Sequence, residues 1–194
     1  MQGSDVPFGA ALAPLSRYYV WQAPGGQIAV YLSLDLVRRL GVLASSAPRS
    51  GAARPPEIGG LLLGRTVPGD TRVTVIEGFE PFPSAHVRGP SYTLVGPERR
   101  ALGAMIRRRG RRPGLAVVGW FRTHTRPGLF LDQHDFSILT EFFSSLHDVC
   151  LLVGERGGAP AGGFFFWEES DIRRQSPYLT FPFDAGELLK GGHR

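Results

Sequence analysis

Residues 115–135 leave little freedom in local structure. An apolar run, residues 115–118, leads into Gly-Trp-Phe-Arg-Thr-His, ending at His124, and reads as a buried strand. Side chains two apart on a strand share a face, so Arg122 and His124 point the same way. Thr-Arg-Pro-Gly then breaks the pattern. Asp132 begins a helix in which Phe136, Leu139, Phe143 and Leu146 have the spacing of one buried face. A strand delivers a loop, and the loop delivers a helix that carries Asp132 and Asp135 in its first turn.

The rest of the chain supplies elements to pack around this unit. Residues 18–21 and 27–32 are β-branched or aromatic runs around Ala-Pro-Gly-Gly, which predicts two strand segments and a turn. Ser33 is placed to cap a helix through about Ala44, with Leu36, Leu40 and Leu43 on one face. Residues 45–56 contain nothing that could build a core and read as a loop over the site that Glu57 faces, or as a plain surface connection. Residues 58–64 and 71–79 form a predicted hairpin across Pro-Gly-Asp. Residues 81–96 look irregular. Pro97 then opens a helix at its first position, with Leu102, Met105 and Ile106 inward and Gly110 as its stop. Residues 149–154 read as a core strand, and 163–167 and 178–183 as two further short runs. The periodicities predict an α/β (α+β) domain, a mixed sheet with about three helices. The expected organisation is a leader over 1–16, one domain over 17–184 and a tail over 185–194.

Glu57 stands at the head of Glu-Ile-Gly-Gly-Leu-Leu-Leu-Gly. Taken with Gly-Trp-Phe-x-x-His and Asp135, it resembles the zinc-isopeptidase signature of the JAMM (MPN, JAB-type) metalloprotease family. That signature is a distant Glu, then His-x-His, seven residues, Ser, two residues and Asp. The resemblance covers roughly residues 18–168 and implies the JAMM/MPN (cytidine-deaminase-like) fold. It also implies that two His and the Asp hold zinc, the Glu is the base toward metal-bound water, and the Ser helps stabilise the oxyanion. Carried onto this chain, Glu57 keeps the base position, and His124 and Asp135 keep two metal positions. Arg122 stands where the first His belongs, and Asp132 where the Ser belongs.

Those two letters decide the expected chemistry. A guanidinium stays protonated and has no lone pair, so Arg122 cannot ligate zinc. One reading has Arg122 fill the vacancy and pair with Asp135, Glu57 or both, giving a non-catalytic protein-binding or scaffolding module without a cofactor. Its partner would be a ubiquitin-like protein or a related MPN subunit. The alternative is a zinc-dependent isopeptidase that uses His124, Asp135 and Asp132 as ligands and Glu57 as base. Asp132 and Asp135 also fit a plainer role, since an N-cap and the third residue after it satisfy helix-terminal amides.

Charge and composition narrow the remaining classes. The formal net charge is +5, and Lys190 is the only lysine. Arg107, Arg108, Arg109, Arg111 and Arg112 form a basic patch, read as a solvated helix face before a nucleic-acid site, because no aromatic residues interleave. The single Cys150 excludes an internal disulfide and reads as a buried apolar side chain. His86, His134 and His147 are assigned surface or structural roles, with His134 turned away from the site. Trp120 and Phe121 are assigned to the core, and Gly59, Gly60 and Gly64 to close packing. No apolar run reaches membrane-spanning length and no basic, apolar leader opens the chain, so a cytoplasmic, non-membrane protein is expected, with homo-oligomer formation left open.

Overall fold

The computed structural model describes residues 15–46, 54–87, 89–111 and 113–191. A short 3-10 turn, Leu15–Arg17, precedes β1 (Tyr18–Gln22), β2 (Ile28–Ser33) and α1 (Leu34–Ser45). Then come β3 (Gly59–Val67), β4 (Arg72–Phe82), α2 (Gly96–Gly110), β5 (Ala116–Thr123) and α3 (Gln133–Phe142). The chain continues through β6 (Val149–Arg156), β7 (Ala159–Glu168), β8 (Asp171–Ile172), β9 (Thr180–Pro182) and α4 (Ala185–Gly191). The result is a mixed α/β architecture.

The sheet runs β1-β2-β4-β3-β5-β6-β7-β8, with β9 also paired to β7. Two neighbouring pairs are parallel, β2 with β4 and β5 with β6. A parallel pair needs a crossover, and between β5 and β6 that crossover carries α3. This single connection brings Asp132 and Asp135 back over the end of β5.

Alternation along the strands divides the core into two layers. Leu62, Phe121, Leu151 and Phe164 face one side, under Leu36 and Leu40 of α1 and Leu188 of α4. Leu61, Trp120, Leu152 and Phe165 face the other, under Leu102 of α2 and Leu139 of α3. Both faces are covered, so the strands read as nearly continuous apolar runs. Trp120 and Phe121 are accordingly core residues on opposite faces. Gly64 and Gly119 are required where strands meet: a Cβ would lie 1.8 Å from the Val75 carbonyl oxygen at Gly64, and 1.9 Å from that of Val149 at Gly119.

Ser33 caps α1 by accepting from the Leu36 amide at 3.5 Å, and Leu36 and Leu40 are fully buried. Four expectations require correction. Residues 185–194 are not simply a tail, because Ala185–Gly191 forms a fourth α-helix that buries Ala185 and Leu188. Leu146 lies beyond α3 and is 44% exposed; the helix stops at Phe142, and Ile138 joins Leu139 in the core. Gly96, not Pro97, is the first residue of α2, since the Glu98 carboxylate accepts from the Val95 amide and starts the helix one residue earlier. Strand β4 runs through Pro81 to Phe82, which the sequence leaves in the irregular segment. Residues 1–14 of the expected leader over 1–16, residues 47–53 of the expected loop, Arg112 and the last residues 192–194 lie outside the described residues.

Candidate functional site

The site forms where β3 begins and β5 ends. These strands are antiparallel neighbours with Gly59 opposite Arg122, and the Thr123 amide donates to the Ile58 carbonyl at 2.8 Å. Glu57, just ahead of β3, therefore comes beside Arg122. Asp132 and Asp135 arrive from the first turn of α3.

Arg122 is the centre of the arrangement, with only 1% of its side chain exposed. Its Nη1 donates to Asp132 Oδ2 at 3.1 Å and lies 3.5 Å from Glu57 Oε2. Its Nη2 lies 3.0 Å from Asp135 Oδ2. That last contact is an ion pair without hydrogen-bond alignment, because Nη2 and Nε both lack an aligned acceptor among the described residues. Three carboxylates from two segments thus surround one guanidinium, and Glu57 and Asp135 are about as buried as Arg122.

Each carboxylate is also engaged by backbone. Glu57 Oε2 accepts from the Tyr92 amide at 3.0 Å, and Oε1 accepts from the Thr125 amide at 2.9 Å and its hydroxyl at 3.0 Å. Asp132 Oδ1 accepts from the amides of His134 and Asp135 at 2.8 and 2.9 Å, while Asp135 Oδ2 accepts from the Asp132 amide at 2.9 Å. Asp132 and Asp135 form a reciprocal capping box, with Asp at both positions. Tyr92 and Thr125 escaped the sequence reading. Tyr92 sits in the segment expected to be irregular, yet it is buried and its hydroxyl donates to the Phe82 carbonyl at 2.5 Å.

His124 faces a different partner. Its ring Nδ1 pairs with the Gly128 carbonyl at 2.8 Å, which makes Nδ1 the protonated nitrogen, and its ring meets Phe130 edge to face. Burial, and then the charge on Arg122, hold its pKa below the usual histidine value. The imidazole is therefore neutral near physiological pH.

Burial opposes the charge on Arg122, but Asp135, Glu57 and Asp132 together hold its pKa above the ordinary value. For Asp132 burial raises the pKa, yet Arg122 and the helix amides leave it below the usual carboxylate value. Asp135 goes the other way, pushed up to about 7 by burial, with the neighbouring Asp132 and Glu57 adding to that against the pull of Arg122. One guanidinium cannot hold three clustered carboxylates ionised equally well. The deepest aspartate takes the proton first.

A zinc ion in this donor set would meet the guanidinium of Arg122. Among the described residues no group of three or more His, Cys, Asp or Glu side chains converges in a way that could hold a metal ion. Chemically, a second cation would have to sit beside Arg122 and draw on carboxylate oxygens already committed to helix and loop amides. Both oxygens of Glu57 already accept hydrogen bonds.

The other residues singled out lie apart. His134 accepts from the Leu94 amide at 2.7 Å through Nε2, and tethers the start of α2 to α3. His147 lies in the turn after α3, and its carbonyl accepts from the Thr74 hydroxyl. His86 adopts a left-handed backbone beside Tyr92. Arg107, Arg108 and Arg109 close the last turn of α2, where cations suit the helix dipole, and Arg109 pairs with Glu80. Cys150 is a free, fully buried thiol.

No family model matches the sequence, and no curated protein matches it. Among solved structures, the chain is similar to the solution structure of a protein from Salinibacter ruber (strain DSM 13855). That match has 22% sequence identity and a TM-score of 0.42, and covers 75% of this chain and 88% of that one.

Proposed function

We propose that this chain is a JAMM/MPN-type domain whose metal position is filled by a side chain, and that it acts as a non-catalytic protein-binding or scaffolding module. The observation that carries the reading is Arg122 itself. Its guanidinium stands at the position of the first metal-ligating histidine in the resembled signature, and it lies within 3.5 Å of the carboxylates that stand at the signature's Glu, Ser and Asp positions. A fixed monocation replaces a dication with an open coordination position. What remains is a rigid ion-pair hub that joins β3, β5 and α3, with nothing to activate water.

Elemental analysis tests this directly, on protein purified without chelator and again after zinc loading and desalting. Metal should be absent in both samples, and cleavage of an isopeptide-linked ubiquitin-like substrate should be undetectable with or without zinc. Near-stoichiometric zinc that His124→Ala removes would overturn the proposal in favour of the isopeptidase reading.

A further inference from the structure

Beside the buried hub, over the carboxyl ends of the parallel pair β5 and β6, lies an open groove of about 1780 Å³. Its walls are the second half of α1, residues 54–56, the loop after β5, the end of β6 and the start of α4. Glycines, prolines and short apolar side chains line much of it, which leaves room for a main chain to lie close. Thr125 lines the groove while its amide and hydroxyl are bound to Glu57, so the groove floor is held in place by the hub.

Charge sets what this groove suits. Four arginines from four separate segments line it, Arg38, Arg54, Arg126 and Arg156, and each is exposed. Among the described residues none of the four is ion-paired: Arg126 donates only to the Ser91 hydroxyl at 3.3 Å, and Arg156 to the Thr180 hydroxyl. The acidic lining residues are Glu155 and Asp184, and Asp184 already accepts from the Glu187 amide at 2.9 Å. Elsewhere the surface arginines Arg39, Arg65, Arg99 and Arg109 all have carboxylate partners. Arginines on α2, such as Arg107 and Arg108, also lack carboxylate partners among the described residues, but the groove gathers four from separate segments around one concave surface, where they can fork onto carboxylates supplied by another molecule.

Resting on the protein-binding reading above, we infer that this groove binds an extended acidic segment of a partner protein. The small residues admit the backbone, and the four arginines take alternate Asp or Glu side chains of the segment. A chain of net charge +5 also steers such a partner toward the groove.

The test is fluorescence anisotropy with a labelled peptide of repeating Glu-Leu-Glu-Gly, against a matched Lys-Leu-Lys-Gly peptide. The acidic peptide should bind, with affinity that falls as salt rises, and the basic peptide should not. Reversing two exposed groove arginines in Arg126→Glu with Arg156→Glu should weaken binding roughly tenfold or more. The Arg→Lys pair at the same positions should retain most of it, and Arg107→Glu with Arg108→Glu on α2 should leave it unchanged. Absence of binding at low salt, equal binding of both peptides, or tighter binding of a single-stranded oligonucleotide through Arg126 and Arg156 would each overturn the inference. A metal-free protein that fails to bind the peptide removes only the groove assignment. Stoichiometric zinc removes the reading beneath it, whatever the peptide does.

Discussion

Arg122 and Asp135 meet at 3.0 Å, with 1% and 2% of their side chains exposed, and yet the guanidinium Nη2 has no aligned acceptor among the described residues. The contact is electrostatic rather than directional. Its value lies in neutralising charge where no solvent can do so.

Arg122→Met should therefore be strongly destabilising, by ~3–5 kcal/mol, because it leaves Glu57 and Asp135 buried without a counter-ion. Adding Asp135→Asn should recover at least about 1 kcal/mol of that loss, since the two positions share one interaction. Urea denaturation of the wild type, the two single variants and the double variant completes the cycle. Additive effects would mean that the pair is not coupled.

Stability should fall as pH rises through 7, and the sign follows from Asp135. Its folded pKa, about 7, lies above its ordinary value of 3.8, so its contribution is fully present below 3.8 and is lost as pH rises through 7. The slope from one such proton is at most about 1.4 kcal/mol per pH unit. His124, depressed below 6.5, works in the opposite direction, losing stability as pH falls below 6.5, so the clean window for Asp135 runs from 6.5 to just above its folded pKa of about 7. Asp135→Asn should flatten the stability profile there, as read from denaturation midpoints at constant salt.

Asp132 carries a cap and a charge, and substitutions separate the two. Asp132→Ser keeps a hydroxyl that can accept from the amides of His134 and Asp135 but removes the partner of Arg122 Nη1. Asp132→Ala removes both. The alanine variant should be less stable than the serine variant by about 1 kcal/mol, the ordinary worth of an N-cap. Equal stabilities by thermal melting would show that the cap is idle.

Deleting α4 should cost about 2–3 kcal/mol, even though the segment is short. Leu188 and Ala185 cover Leu36, Leu40 and Phe183 in one core layer, and a buried leucine side chain alone contributes ~1.5–3 kcal/mol. A chain ending at Asp184 should melt several degrees lower, and an unchanged melting temperature would show that α4 is dispensable.

What could be read from the sequence follows the range of the forces involved. Ser33 as a cap, the Leu36 and Leu40 face and the hairpin around Pro-Gly-Asp depend on neighbours a few residues away, and each stands where local pattern puts it. The resemblance to the JAMM signature points to Glu57, Arg122, Asp132 and Asp135, and the structure brings these four side chains together. His124 lies near enough to feel their charge, while its Nδ1 donates to the Gly128 carbonyl. The commitment of Glu57 to the amides of Tyr92 and Thr125 was hidden, because those partners lie 35 and 68 residues away. Helix α4 was missed for a different reason: seven residues with two leucines are too few to show a period. Leu146 misled because it continues the helical spacing past the turn in which Ser145 and Asp148 bond to each other.

The hub also has a place in time. Glu57 is far in sequence from Arg122 and Asp135, and the three can meet only after β3 has paired with β5 and α3 has folded back over both. Before that moment each charge is hydrated; afterwards none can leave without opening the sheet end. Contacts made this late act mainly on the rate of unfolding. Substitution of Arg122 should therefore shorten the lifetime of the native state far more than it slows the approach to it, and Arg122 works as a latch on the finished fold rather than a guide to its assembly.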